Sequence, residues 1–178
     1  SVGLMQLSNG PYYTFLTLHL ESLGYSRGLI GQLWALGVLA EIVLFMVMAR
    51  LLARYSLRSV LLASFLITAV RWLLLGSLPQ YLPVLLLAQC MHAATFGAFH
   101  AASIHFIQRS FEGGQQGQGQ ALYATLAGIG GALGALYAGY SWNSIGPAWT
   151  FALASLAALA AAVIIATRLP PESERESP

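Results

Sequence analysis

The feature that most constrains this chain is the length of its uncharged segments. Residues 1–20 carry no charge, and residues 113–167 carry none either. Within residues 59–108, Arg71 is the single charge. A helix that crosses the hydrocarbon core of a bilayer needs about 20 predominantly apolar residues. These segments therefore predict an all-α membrane protein, in agreement with a content of 57% hydrophobic and 8% charged residues.

Turn signals between and within these segments predict six crossings. The two longest segments are broken by Pro- and Gly-containing stretches near residues 78–83 and 141–147. The predicted spans are residues 2–20, 28–49, 60–78, 82–107, 118–142 and 147–167, in one bundle over residues 1–169. The Pro- and Glu-rich residues 170–178 are predicted to form a disordered cytoplasmic tail. Because the chain does not begin with Met, we expect it to be part of a longer protein.

The distribution of arginine predicts the orientation of the bundle. Short loops that stay in the cytoplasm are enriched in positive residues. Arg27 lies alone on one predicted side of the membrane. The arginines on the other side are Arg50, Arg54, Arg58, Arg109, Arg168 and Arg175. We therefore expect both termini of this segment to face the cytoplasm.

The composition argues against several other classes of protein. A net charge of +2, scattered along the chain, does not indicate nucleic-acid binding. Cys90 is the single cysteine, which excludes a disulfide framework and a cysteine metal site. The sequence has no His-Glu-x-x-His motif for a metalloprotease and no lysine for a phosphate-binding loop. We expect no enzymatic activity, no cofactor and no bound metal.

Two charges fall inside predicted spans, Glu41 in the second and Arg71 in the third. A charge near the bilayer centre costs about 2.5–3.5 kcal/mol on insertion scales, so each needs a partner or a water-filled cavity. Their depths predict that they approach one another as a buried pair. Such pairs stabilise poorly relative to apolar packing, which favours a functional role. A pair that merely orients two helices stays open.

Histidines in the fourth span extend this polar set. His92 and His100 are eight residues apart, a spacing that places them near the same helix face. Thr95, Phe96 and Phe99 are expected between them on that side. Two histidines on one face, in a protein that also buries Glu and Arg, favour a lined cavity over isolated core residues.

Aromatic residues accompany these polar positions. In the first span, Tyr12 opens a stripe that continues through Phe15, Leu16 and His19, and Trp34 lies in the second span before Glu41. Aromatic residues are also common packing residues, so the stripe alone does not establish a site. The candidate residues for a substrate and proton pathway are Glu41, Arg71, His92, His100, Tyr12 and Trp34.

Proline and glycine predict how the helices bend and pack. Residues 9–11, Asn-Gly-Pro, predict a bend in the first span, either as a packing kink or as a break that lines a cavity. Small residues in the fifth span predict close approach of another helix. These glycines are Gly128, Gly130, Gly131, Gly134 and Gly139. A faint similarity between residues 31–36 and 119–126 is typical of two three-helix repeats of inverted topology.

Five segments in order resemble the C-terminal half of the phenylpropionate permease family of the major facilitator superfamily. They are Gly24–Ser26, Leu33–Glu41, Arg50–Arg58, Val70–Trp72 and Gln89–His92. More distantly, the chain resembles the same half of the lactose permease type of oligosaccharide:proton symporters. The resemblance implies six transmembrane helices that form one half of a twelve-helix carrier, in a 3+3 inverted-repeat arrangement. It also implies a bacterial inner-membrane location and an N-terminal half that is not in this sequence.

In the lactose permease group, a Glu in helix eight, an Arg in helix nine and a His in helix ten belong to the proton and sugar machinery. Glu41, Arg71 and His92 fall at matching places. In that group a proton-handling Glu follows the His by three residues, whereas Thr95 stands there in this chain. Proton transfer is therefore expected to use Glu41, a histidine or the other half.

The resulting hypothesis is a proton symporter that imports a small organic solute, with an aromatic carboxylate implied by the family name. Arg71 beside aromatic side chains would suit such an anion through charge-assisted hydrogen bonds. The expected partners are the lipid bilayer, the N-terminal six-helix half or a second copy of this chain, the substrate and protons. A sugar or nucleoside symporter stays open, as does a non-transporting six-helix module that forms homodimers.

Overall fold

The computed structural model describes residues 1–111 and 113–170, and every regular element within them is helical. The α-helices are α1 (Val2–Ser8), α2 (Gly10–Ser22), α3 (Arg27–Arg54), α4 (Leu57–Ser77), α5 (Leu82–His92), α6 (Phe99–Ser110), α7 (Gln116–Ser144) and α8 (Pro147–Arg168). A π-helical turn, Ala93–Ala98, joins α5 to α6, and a short 3-10 turn, Gly113–Gln115, precedes α7. The predicted disordered tail falls on residues 170–178, of which 171–178 lie outside the described residues.

Five helical segments of the described chain are long and apolar enough to cross a membrane. They are Arg27–Arg54, Leu57–Ser77, Leu82–Ser110, Gln116–Ser144 and Gly146–Arg168. Ser26 and Ser56 cap the first two of these, each through a side-chain oxygen that accepts from a backbone N–H in the first turn. Gly146, at φ +84°, makes the turn before α8 in a conformation that side chains disfavour.

The first predicted span is not one continuous helix. α1 ends at Ser8 and α2 begins at Gly10, so neither helix reaches membrane-crossing length by itself. Pro11 lies in the first turn of α2, where its missing N–H breaks no hydrogen bond. The predicted bend is therefore confirmed as a helix break. It is buried in packing, because Gly10 lies directly against the backbone of Gly134 in α7.

Glycines of α7 allow this close approach. A Cβ on Gly134 would lie 2.7 Å from the carbonyl oxygen of Leu7, and a Cβ on Gly130 would collide with the backbone of Gly3. Gly131 faces open space, with nothing within 4 Å of its hypothetical Cβ. The expectation that small residues of the fifth span admit another helix is confirmed, and the helix admitted is the broken α1–α2 pair.

Two apolar clusters fill the bundle at different heights. The Tyr12 cluster comprises Tyr12, Leu16, Leu20, Ile30, Leu33, Trp72, Leu75, Leu85, Ala88, Phe151 and Ala154. The Met5 cluster comprises Met5, Leu57, Leu61, Phe65, Phe99, Ala102, Ala161, Ala162 and Ile165. Between them along the helices lies a buried polar layer of Ser8, Asn9, Ser64, Thr68, Arg71, Gln89, His92, Thr95 and Ser155. Since α4 packs extensively on α8, and α5 packs on both α3 and α4, this layer is held from several sides.

Candidate functional site

Arg71 is the centre of the buried polar layer. Its side chain is fully buried, and its guanidinium is held by the fourth span on two sides. Nε donates to the carbonyl oxygen of Ala88 at 2.8 Å, and Nη1 donates to Oγ1 of Thr95 at 3.1 Å. Nη2 has no hydrogen-bond partner among the described residues. The guanidinium is thus fixed in orientation, with one enclosed donor group left unsatisfied.

Two aromatic rings lie against this cation. The Cζ atom of Arg71 lies 4.2 Å from the centroid of the Tyr12 ring and 4.6 Å from that of Trp72. Arginine over an aromatic face gains on the order of 2 kcal/mol when both groups are desolvated. This contact stabilises the charge without neutralising it, so an anion can still be attracted.

The prediction that Glu41 and Arg71 form an ion pair is wrong. Within the described part of the chain, the ion pair found within 4.0 Å joins Arg27 to Glu21, at 2.7 Å and at an exposed position. The physical reason is that α5 lies between the two residues' helices, because it packs on both α3 and α4. Arg71 therefore reaches α5 before it can reach Glu41.

Glu41 faces the π-helical turn. A Cβ on Gly97 would lie 3.1 Å from Cγ of Glu41, so a larger residue there would press on this side chain. Gly37, one turn earlier on α3, faces the fourth span too: its hypothetical Cβ would lie 3.4 Å from Oε1 of Gln89 and 3.6 Å from Cδ2 of His92. Glu41 is thus partly buried on the same face of α3, about one helical turn from the polar layer.

Tyr12 connects the predicted residues of four helices. Its hydroxyl donates to Oε1 of Gln89 at 2.8 Å, and its ring lies 4.7 Å from that of Trp34 and 5.5 Å from that of His92. Trp34 in turn donates from Nε1 to Oγ1 of Thr17 at 3.2 Å. The structure thereby brings together Tyr12, Trp34, Arg71 and His92, which we call the Arg71 site. Glu41 and His100 lie outside its direct contacts.

His100 is joined to the site through a row of stacked rings. The His92 and Phe96 ring centroids are 5.5 Å apart at 11°, and Phe96 and His100 are 6.1 Å apart at 4°. His100 closes the row with a 2.8 Å hydrogen bond between Nδ1 and the hydroxyl of Tyr123 in α7. The expected common face of His92, Phe96 and His100 is confirmed.

Thr95 and Phe99 do not share that face. Thr95 points to Arg71, and the Phe99 ring packs 5.5 Å from that of Phe65, both in α4. The expectation that they lie between the histidines is wrong, because the π-helical turn Ala93–Ala98 has more residues per turn than the α-helix assumed from the spacing. Such turns occur frequently at functional sites.

Gln89 belongs to this layer, although the sequence did not single it out for a role. It is only 2% exposed, in the middle of the apolar stretch of α5. The signal that could have found it is an amide inside a predicted span, since a buried polar group requires a hydrogen-bond partner. The described residues contain no group of three or more His, Cys, Asp or Glu able to hold a metal ion.

Apolar helices of membrane-crossing length, arranged around a buried polar layer, define a multi-pass membrane protein. The sequence matches the MFS_1 like family over residues 1–153. The chain therefore belongs to this family of the major facilitator superfamily.

A curated relative agrees with this assignment. The chain is 33% identical over 162 residues to the probable 3-phenylpropionic acid transporter of Escherichia coli (strain K12). The alignment covers 89% of this chain and 42% of that protein, so the chain spans less than half of its relative's length. No solved structure matches the chain significantly.

Proposed function

We propose that this chain forms the C-terminal six-helix half of a secondary active transporter that imports a small aromatic carboxylate together with protons. In this proposal α1 and α2 together make the first crossing, so that the five long segments complete six in a 3+3 arrangement. An N-terminal half, or a second copy of the chain, closes the Arg71 site from the other side. Both termini of the segment face the cytoplasm of a bacterial inner membrane.

The observation that carries the proposal is the state of Arg71. The side chain is fully buried, is oriented by two hydrogen bonds, lies against two aromatic rings and keeps the enclosed Nη2 without a partner among the described residues. The uncompensated charge would attract a carboxylate, and an aromatic ring would pack against Tyr12 or Trp34. A relative named as a probable 3-phenylpropionic acid transporter supports this substrate class. A neutral sugar or nucleoside would leave the cation without a counter-charge.

Proton coupling is assigned to Glu41. It is the single acidic residue in the five membrane-crossing segments, and it lies on the α3 face that contacts the fourth span. A symporter needs a group that binds a proton on one side of the membrane and releases it on the other. A carboxylate about one turn from the Arg71 site can do this while the substrate binds. His92, which stacks on Tyr12, is the second candidate for the proton.

The test uses the full-length carrier that contains this chain, reconstituted into proteoliposomes. Uptake of labelled 3-phenylpropionate should require an inward proton gradient and stop when a protonophore is added. Arg71→Gln should weaken 3-phenylpropionate binding at least about tenfold, because a hydrogen bond to a charged group contributes about 1.5–3 kcal/mol. Arg27→Gln, which removes an exposed arginine, is the matched control. Unchanged binding by the Arg71 variant would refute the assigned site.

A further inference from the structure

Gln89 has a side-chain amide with only one of its two ends occupied. Oε1 accepts the Tyr12 hydroxyl hydrogen bond at 2.8 Å, which fixes the direction of the amide. Nε2 donates to none of the described residues. Unlike Nη2 of Arg71, it is not completely enclosed by protein atoms. The small accessible part of this residue thus includes a hydrogen-bond donor in a fixed direction.

The same contacts tie this amide to Arg71. The carbonyl oxygen that accepts from Nε of Arg71 belongs to Ala88, the residue before Gln89. The guanidinium also lies over the Tyr12 ring, whose hydroxyl holds the Gln89 amide. Gln89 and Arg71 are therefore oriented by one common set of neighbours, and each has one donor group with no partner in the described chain.

We infer that Gln89 is a specificity-determining residue, which donates from Nε2 to the substrate carboxylate that the charge of Arg71 attracts. The inference rests on the proposed function. A carboxylate offers only acceptor oxygens to this donor, whereas a carboxamide offers one acceptor oxygen and an NH₂ group that meets the Gln89 donor. Gln89 thus favours the acid over its neutral amide, in addition to the charge attraction of Arg71.

A purely structural role, in which Gln89 only accepts from Tyr12, makes a different prediction. Gln89→Met removes both the acceptor for the Tyr12 hydroxyl and the Nε2 donor. In Tyr12→Phe the hydroxyl is already absent, so a structural role predicts that adding Gln89→Met to Tyr12→Phe leaves ligand preference unchanged. Gln80→Met makes the same chemical change at an exposed position before α5 and is the matched control.

The experiment measures equilibrium binding of 3-phenylpropionate and of 3-phenylpropionamide to the purified full-length carrier. In Tyr12→Phe/Gln89→Met, the ratio of acid affinity to amide affinity should fall at least about tenfold relative to Tyr12→Phe, and adding Gln80→Met to Tyr12→Phe should not change it. Thermal stability shows whether each variant is folded. If the double variant is not, Gln89→Met is compared with Tyr12→Phe, and the proposal requires the fall in this ratio to be larger in Gln89→Met.

The outcomes separate this inference from the proposed function. If the acid is lost in Arg71→Gln while its preference is intact in the folded Gln89 variants, the role of Gln89 is refuted and the carboxylate site stands. If the wild-type carrier binds neither ligand, both proposals fail.

Discussion

Close packing of α7 on the broken α1–α2 pair leads to a quantitative prediction for Gly134→Ala. The added Cβ would lie 2.7 Å from the carbonyl oxygen of Leu7 and 3.0 Å from its Cα atom. Both are backbone atoms, so the clash cannot be relieved by rotating a side chain, and α1 must move away from α7. Overpacking of this kind costs about 1–3 kcal/mol.

The intrinsic helix preference of alanine works in the opposite direction. Replacing a helical glycine by alanine gains about 1 kcal/mol. Gly131→Ala has this gain without the clash, because nothing lies within 4 Å of its new Cβ. Both variants gain the helix preference of alanine, so this gain drops out of the difference between them. Gly134→Ala should therefore be less stable than Gly131→Ala by about 1–3 kcal/mol. Gly130→Ala should be at least as destabilising as Gly134→Ala, since its Cβ meets the backbone of Gly3.

The assay is thermal unfolding of the detergent-purified full-length carrier, followed by the loss of its monodisperse elution peak. In a domain of 150–250 residues, 1 kcal/mol shifts Tm by about 2–4 °C, and the shift is smaller in a longer cooperative unit. The Gly134 variant should therefore unfold below the Gly131 variant, by at most about 12 °C. Equal Tm values, or a higher value for Gly134→Ala, would show that the α1–α7 contact is looser than the structure indicates.

Two further predictions concern the polar layer. Thr95→Val should lower both Tm and 3-phenylpropionate affinity, because it leaves Nη1 of Arg71 buried without its acceptor; a hydrogen bond to a charged group contributes about 1.5–3 kcal/mol. Thr95→Ser, which keeps the hydroxyl, should restore most of both quantities, and its failure to do so would count against the hydrogen bond. Glu41→Gln should abolish proton-driven accumulation while leaving exchange of internal for external substrate across proteoliposomes. Accumulation in response to a pH gradient by this variant would exclude Glu41 as the proton carrier.

Features that depend on local sequence were predicted well. The five long apolar helices follow from uncharged segment length, and the break at Asn9 follows from the clash of Pro11 with the turn before it. The contact surface of α7 was predicted from its glycines. The sequence does not show which helix packs against them. Helix rotation and helix neighbours depend on the whole bundle, and local patterns do not contain that information.

The site shows the same limit. Arg71 and Glu41 were paired because their depths agree, but depth along the membrane normal says nothing about which helix stands between them. The fourth span stands there and supplies the partners of Arg71, namely the Ala88 carbonyl and Thr95. Gln89 was not assigned a role because an uncharged amide is less conspicuous in an apolar segment than a charge. Its role in ligand binding, like those of Tyr12, Trp34, His92 and His100, stays a prediction.

Because of the π-helical turn Ala93–Ala98, the direction in which the side chains of α6 point relative to those of α5 depends on the geometry of this turn as well as on residue identity. An α-helix advances about 100° per residue, and the π-helical turn accommodates one residue more than an α-helical turn over nearly the same rotation. If these residues took up regular α-helical geometry with none removed, α6 would rotate by roughly 100° relative to α5. The ring of His100 would then leave the stack that begins at His92, and its hydrogen bond to Tyr123 would break. Every side chain would still be present in the sequence. The phase of one helix thus determines whether the two ends of the fourth span act on the same side of the protein.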